Sequence, residues 1–83
     1  MTQGQNYKVE IKVTNEVGVL ARISTLLRKF NVNIGSMDAA PVPGPENFTT
    51  IHLVMASSKS DFNLVMKKLE RLVPVVEVRY EEV

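Results

Sequence analysis

The sequence contains no cysteine, which excludes disulfides, thiolate metal sites and cysteine nucleophiles. An excess of one charge is also lacking, since ten basic residues stand against nine acidic ones and no basic block of the kind that binds nucleic acid or anionic lipid occurs. No apolar run approaches the roughly 20 residues of a membrane span, and residues 1–6 are polar rather than signal-like. We expect a cytoplasmic protein that binds neither nucleic acid nor membranes.

A chain of 83 residues forms one small domain. A domain of this size buries only about 60 to 65% of the surface that its unfolded chain exposes, so its stability alone is modest and partner subunits are expected. We expect residues 1–6 to be a disordered extension and residues 7–83 to be the single domain. No repeat, linker or low-complexity segment divides it.

Hydrophobic periodicity predicts three elements in the first half of the chain. Apolar and charged residues alternate over 7–13, which is typical of a strand with one buried face. Apolar residues then recur at steps of three and four over 19–31, which predicts an amphipathic helix. A short strand of small residues is expected over 32–40, and a loop over 41–45, because the prolines there lack an amide donor.

The second half repeats this plan. Residues 48–56 alternate as a third strand, and Ser60 is the expected N-cap of a second helix that Pro74 ends. The resulting order of strand, helix, strand, strand, helix, strand predicts an α+β ferredoxin-like fold, with two helices on one face of a four-stranded antiparallel sheet and strands one and three central. The last strand is expected to alternate with three apolar residues on one side: Val76, Val78 and Tyr80.

The junction between the first strand and the first helix predicts a small-molecule site. It reads Asn15-Glu16-Val17-Gly18-Val19-Leu20-Ala21-Arg22, and a second asparagine, Asn33, follows the helix. A helix start offers unpaired N–H groups and a positive dipole end to a carboxylate or phosphate, and Gly18 has no Cβ to keep that anion away. Asn15 and Asn33 could accept from an ammonium and donate to a carboxylate. A free amino acid is the simplest ligand that matches.

Each of these residues also has a purely structural interpretation. Gly18 could simply permit a tight turn, Asn15 could be only a helix cap, and Asn33 could be a turn residue. Their joint occurrence favours binding.

Asp38 is expected to be solvated or at an interface, and the lone His52 has no partner at a recognisable spacing that would make it catalytic. Three methionines are expected to fill the core or an adaptable contact surface rather than bind metal: Met37, Met55 and Met66.

Three segments of the chain resemble the ACT domain of the acetolactate (acetohydroxyacid) synthase regulatory small subunit family, a resemblance that runs over about residues 7–80. They are 15–22, quoted above, Phe30-Asn31-Val32-Asn33-Ile34, and Leu69-Glu70-Arg71-Leu72-Val73-Pro74-Val75-Val76-Glu77-Val78. The resemblance implies a dimer that binds a branched-chain amino acid such as valine between protomers and activates or inhibits a large catalytic subunit. It implies no catalytic role for the chain and no cofactor of its own; thiamine diphosphate, Mg and FAD would belong to the catalytic partner.

Carried over by position, the resemblance also implies the effector site. The glycine of its loop is Gly18, and the backbone amides that meet the carboxylate belong to Val19 and Leu20. Its polar ligands are Asn15 and Asn33, and Ile34 flanks the pocket.

The composition of the second strand predicts how such a dimer would form. Its small residues have little bulk to block pairing, and an unpaired edge invites another strand. We predict a two-fold dimer in which the second strand and first helix of each protomer meet, so that Asn15 and Gly18 of one chain lie near Asn33 of the other. The small or short residues are Gly35, Ser36, Asp38, Ala39 and Ala40.

Three other functions remain as alternatives. The first is a stand-alone amino-acid-sensing ACT protein with a different partner, which co-purification with a thiamine-diphosphate-dependent enzyme would distinguish. An RNA-binding domain of the same fold would need exposed aromatics on the central strands. A phosphate-ester hydrolase would want an arginine in the loop before the first helix. The chain has other residues at both places: Lys8, Glu10, Lys12, Thr50, His52 and Val54 on the strands, and Asn15 to Gly18 in the loop.

Overall fold

A computed structural model describes residues 4–14 and 18–83 of the chain. It contains a four-stranded antiparallel sheet in the order β2-β3-β1-β4, whose buried face packs on two helices. The predicted ferredoxin-like fold is confirmed, with strands one and three at the centre. Within the described ranges, neither helix is long and apolar enough to cross a membrane. The elements are β1 (Gln5–Thr14), α1 (Val19–Lys29), β2 (Asn33–Pro41), β3 (Phe48–Ser57), α2 (Lys59–Arg71) and β4 (Val75–Glu82).

The two central strands pair over their whole length, from Gln5 opposite Ser57 to Thr14 opposite Phe48. β1 therefore begins two residues before the expected domain start at residue 7, because Gln5 and Asn6 already have pairing partners on β3. The rest of the expected 1–6 extension is Gly4, next to the strand, and residues 1–3, which lie outside the described part of the chain.

The core lies between one side of the sheet and both helices. The ring of Phe62 on α2 stacks on Tyr7 at 3.6 Å between centroids, and Tyr80 of β4 meets Phe62 edge-on at 4.9 Å. Met55 and Met66 are buried and Met37 packs against the core, so the core-filling role expected for the methionines is confirmed. Buried residues are Tyr7, Val9, Ile11, Val13, Val19, Ile23, Leu27, Ile51, Leu53, Met55, Phe62, Val65, Met66 and Leu69.

A bulge corrects the prediction for the last strand. Lys12 pairs with Glu77, but the next pair is Val13 with Val75, so Val76 is the extra residue. A bulge shifts the alternation by one residue. Val75 consequently packs against the core with Val78, whereas Val76, which was expected to alternate in step with Val78, is 51% exposed and does not pack there.

A second bulge lies on the opposite edge. Ile34 pairs with Met55 and Ser36 with Val54, so Gly35 is the extra residue of β2. A Cβ on Gly35 would lie 3.4 Å from the carbonyl oxygen of Val54, which is van der Waals contact distance, so the backbone of β3 passes close to this bulge. β2 runs to Pro41, one residue beyond the expected end, since a proline at the last position of an edge strand costs no internal ladder bond.

The helix boundaries also differ from the prediction. The N-cap of α2 is Ser58, not Ser60, because Ser58 has extended backbone angles and its Oγ accepts the N–H of Asp61 at 3.2 Å, while Ser60 is already helical. α2 ends at Arg71, before the expected stop at Pro74. α1 ends at Lys29 rather than near Asn31, because Phe30 is already extended.

The side of the sheet away from the helices, here called the open face, carries the polar half of each alternation. Opposite charges lie directly across from each other on β1 and β4, which is a favourable cross-strand arrangement. Arg79 also forms an exposed ion pair with Glu77 at 2.9 Å, a hydrogen bond that raises the pKa of Arg79. The opposed pairs are Lys8 with Glu81, Glu10 with Arg79 and Lys12 with Glu77.

Candidate effector site at the start of helix α1

Gly18 is the N-cap residue of α1 and has a left-handed backbone, with φ 82° and ψ 4°. Non-glycine residues rarely adopt this conformation, so the turn itself favours glycine. Among the described residues, none comes within 4 Å of the position that a Cβ on Gly18 would take. Gly18 therefore permits the turn, and its role beside a ligand stays a prediction with which the surrounding described residues are compatible.

In the part of the chain that the structure describes, the first turn of α1 receives no side-chain cap from its N-cap residue Gly18 and contains no acidic residue. The N–H of Arg22 donates to the carbonyl oxygen of Gly18 at 3.0 Å, and the amides before it, those of Val19 and Leu20 included, precede the first intrahelical bond. This helix end presents N–H groups and positive dipole to an anion.

A cleft of about 170 Å³ opens beside this turn, bounded by α1 and the ends of β1 and β3. Ligand pockets for drug-sized molecules start at about 300 Å³, so this cleft suits a smaller molecule. Three of the six predicted effector residues, Gly18, Val19 and Leu20, line it. The remaining wall consists of Val13, Thr14, Ala21, Thr49 and Ile51.

Sequence reasoning did not identify this remaining wall. Thr14 could have been suggested by its position directly before Asn15. Thr49 and Ile51 gave no local signal, because they reach the cleft only through the pairing of β3 with β1, in which Thr49 lies opposite Val13.

The structure does not bring Asn33 and Ile34 to the cleft within one chain. Asn33 lies opposite Ala56 and Pro41 opposite Thr49, so Asn33 is at the far end of the sheet, about 23 Å away along β3. The register also separates the two residues, since Ile34 shares the buried side with Met55 whereas Asn33 shares the open face with Ala56. Asn15, the other predicted polar ligand, lies outside the described residues.

His52 and Asp38 lie on the open face, on the opposite side of the sheet from the cleft. The sheet register forms one row of polar residues across all four strands: Asp38, His52, Glu10 and Arg79. His52 is exposed, and the described residues contain no group of metal-ligating side chains. A larger depression of about 460 Å³ lies over this row, but the opposed charges of β1 and β4 line much of it. The uncapped helix end makes the smaller cleft the stronger candidate for an anionic ligand.

Comparison with known structures supports the fold at low sequence identity. The acetolactate synthase small subunit from Thermotoga maritima superposes with a TM-score of 0.80 and 21% identity, over 92% of this chain and 47% of that chain. A homoserine dehydrogenase from Thiobacillus denitrificans gives 0.80 and 21%, over 96% of this chain and 17% of that one. The ACT domain from GTP pyrophosphokinase of Chlorobium tepidum gives 0.77 and 18%, over 95% of this chain and all of that domain (100%). These likenesses establish a fold that occurs in proteins of different activity.

The family itself is established by sequence. A comparison with curated protein sequences finds no match. The family model described as the AHAS small subunit-like ACT domain matches residues 9–77, from within β1 into β4. The chain therefore belongs to the AHAS small subunit-like ACT domain family.

Proposed function

We propose that this chain is a regulatory small subunit of acetolactate synthase, which binds a branched-chain amino acid such as valine and modulates a large catalytic subunit. The observation that carries the proposal is the uncapped start of α1 beside an open cleft, in a chain of this family. The chain itself has no catalytic role in the proposal and takes no cofactor of its own. A cytoplasmic location belongs to the same proposal.

The α-carboxylate of the effector would bind the amides of Val19 and Leu20, with Gly18 giving it room. The cleft is otherwise largely aliphatic, with Val13 and Ile51 in its wall, and this favours a hydrocarbon side chain over a charged one. Asn15 would complete the polar contacts.

Dimerisation through β2 would bring the start of β2 from a second protomer close to the cleft, which one chain alone does not do. β2 is an edge strand, and the apolar side chains of Leu20 and Ile34 on this side of the molecule are 42% and 39% exposed. If two β2 strands pair antiparallel about a two-fold axis near Met37, the bulge at Gly35 shifts the register, and residue 34 of the second protomer lies beside Ala39 of the first, on the same side of the sheet. Ala39 is opposite Ile51 of the cleft wall, so the second protomer's start of β2 comes within about 10 Å, or two strand spacings, of the cleft.

The two residues of the second protomer would then have different roles. Ile34 is on the side of the sheet that carries the cleft and would contact the hydrocarbon part of the effector. Asn33 is on the other side and would have to reach over the edge of β2. An effector held by both protomers has differential affinity for dimer geometries, which is what regulation of a catalytic partner requires.

Calorimetry of the purified chain against valine, leucine and isoleucine, with sedimentation for oligomeric state, tests the binding step. Valinamide is the matched control, because it keeps the side chain and ammonium but lacks the carboxylate. The proposal expects saturable binding of at least one amino acid by a dimer, and no binding of valinamide. A chain that binds valinamide equally well does not use the amides of Val19 and Leu20 as proposed. A dimer that binds an amino acid but no acetolactate synthase catalytic subunit would instead be a stand-alone sensor with a different partner.

The dimer has its own matched pair of variants. Ile34→Lys puts a charge on the proposed interface, and Val76→Lys puts one at an exposed apolar position of the other edge. Two buried copies of the lysine should weaken the dimer by at least about tenfold. Sedimentation over a concentration series should show this loss for Ile34→Lys only, and an equal response of both variants would contradict pairing through β2.

A further inference from the structure

Although the net charge of the chain is near zero, positive charge is concentrated on the helices and negative charge on the strands and loops. α1 carries Arg22, Arg28 and Lys29 and no acidic residue. α2 carries four basic residues, Lys59, Lys67, Lys68 and Arg71, against Asp61 and Glu70. The two helices together therefore have a net charge of +5, while the strands and loops that remain are net negative in a chain of +1.

A groove of about 370 Å³ crosses this basic layer between α1 and the residue that follows α2. Its apolar floor is formed by Leu26 and Leu72, which are only partly buried against the core. Arg22 and Lys29 form one rim. They are seven residues apart on α1, so they lie on the same side of the helix, about 10.5 Å from each other along its axis.

Neither rim residue is neutralised by a described neighbour. Both are exposed, and neither has an ion pair or hydrogen-bonded side chain within residues 4–14 and 18–83. These two positively charged side chains beside the apolar floor of the groove complement a segment that has carboxylates flanking an aliphatic stretch. Such a segment could be a helix with acidic residues seven positions apart and apolar residues between them.

From this geometry we infer that the groove between α1 and Leu72 docks an acidic, amphipathic segment of the catalytic subunit, an inference that rests on the proposed function. Leu26 and Leu72 are both partly buried against the core, so they leave little apolar surface to insert into a lipid bilayer. The groove has no aromatic side chain on which a nucleic acid base could stack.

The position of the groove explains how effector binding would influence the docking of the catalytic subunit. By helical spacing, Arg22 and Lys29 lie on the side of α1 opposite to Leu20 and Ser24, which face the proposed dimer edge. The groove thus stays free in the dimer. Ala21 lines both the effector cleft and this groove, so the first turn of α1 belongs to both sites. A ligand that fixes this turn changes one wall of the docking surface.

The test compares two double charge reversals in the full chain. Arg22→Glu with Lys29→Glu reverses the rim, and Lys59→Glu with Lys67→Glu makes the same charge change on α2 at residues outside the groove. Binding to the acetolactate synthase catalytic subunit of the same organism is measured by calorimetry at low and high salt. The rim variant should bind at least about tenfold more weakly, the α2 variant should bind like the wild type, and only the rim variant should lose the salt dependence.

Controls separate this inference from folding and from the proposed function. Both variants should remain dimeric and bind the amino acid as the wild type does, and Arg22→Gln with Lys29→Gln replaces the rim variant if the latter does not fold. Equal binding by the rim variant, or equal loss by both variants, overturns the docking site but leaves the proposed function. A wild-type chain that binds amino acids but no catalytic subunit overturns both, as does binding only to vesicles of phosphatidylcholine and phosphatidylserine.

Discussion

The N-termini of the two helices are built differently. α2 begins at Ser58, whose side chain accepts the N–H of Asp61, and that aspartate places a negative charge in the first turn. α1 begins at Gly18, which has no side chain to donate or accept, and no acidic residue follows in its first turn. Within the described residues, the start of α2 has a side-chain cap and the start of α1 has none.

The two helix ends also differ in how they are held. The N–H of Phe62 donates to the carbonyl oxygen of Ser58 at 2.9 Å, and the Phe62 ring lies between Tyr7 and Tyr80. The first turn of α1 has Val19 as its buried residue, next to an open cleft. A rigid, capped turn is suited to stability, whereas an uncapped turn beside a cleft is suited to binding.

The largest expected effect concerns Phe62 in the first turn of α2. Phe62→Ala removes the ring that stacks on Tyr7 and should lower the free energy of unfolding by about 3 to 5 kcal/mol. Leu64→Ala, at a 41% exposed position of the same helix, should cost less than about 1 kcal/mol. Urea unfolding at one fixed protein concentration measures both, and a similar loss for the two variants would show that the aromatic stack does not anchor α2.

The next effect distinguishes the open turn. Gly18→Asp puts a negative charge at the proposed anion site, and Gly18→Asn puts a neutral side chain of the same shape there; both residue types tolerate the left-handed backbone better than most. The aspartate should weaken amino acid binding by about 100-fold, or roughly 2.8 kcal/mol, relative to the asparagine. Calorimetry measures the affinities, and thermal unfolding checks that both variants fold. Equal affinities of the two variants would mean that Gly18 serves only to permit the turn.

For the capped first turn of α2 we expect a change in stability and no change in ligand affinity. Ser58→Ala removes the acceptor of the Asp61 N–H and should lower the free energy of unfolding by about 1 kcal/mol. Because α2 does not line the cleft, amino acid binding by the folded protein should not change. Unfolding and calorimetry of the same sample test this separation, which a loss of ligand affinity in Ser58→Ala would contradict.

The smallest effect is confined to alkaline pH. Burial raises the pKa of the Tyr7 phenol above its usual 10.0, and the nearby charge of Glu82 adds to this. The unfolded chain releases this proton first, so the contribution of Tyr7 to stability is complete below pH 10 and is lost as pH rises toward the raised pKa. Tyr7→Phe should show a smaller fall in the free energy of unfolding over that range, and parallel curves for the two proteins would exclude Tyr7 as the cause.

Much of the fold was predictable because its signals are local. The alternation over 7–13 and 48–56 corresponds to the buried sides of β1 and β3, and the order of elements is as expected. Errors occurred where two local signals compete or where pairing decides. Ser58 and Ser60 are both good caps, and only the backbone of Ser58 is extended.

The candidate site was predictable only on its helix side. Gly18, Val19 and Leu20 follow one another in the sequence, so one motif identifies them together. Thr49 and Ile51 join them from another strand, and Ile34 and Asn33 lie at the other end of the sheet. The roles of Asn33 and Ile34 in effector binding stay predictions that depend on a second protomer.

The sequence by itself determined the six elements, the buried side of the central strands and the family, because periodicity and motifs depend on residues close together in the chain. Only the tertiary structure decided the bulges at Gly35 and Val76, the β3 wall of the cleft and the groove between α1 and Leu72. The physical reason is that these features depend on strand register and on helix packing. Both are set by contacts between residues far apart in the sequence, for which no local pattern encodes the alignment.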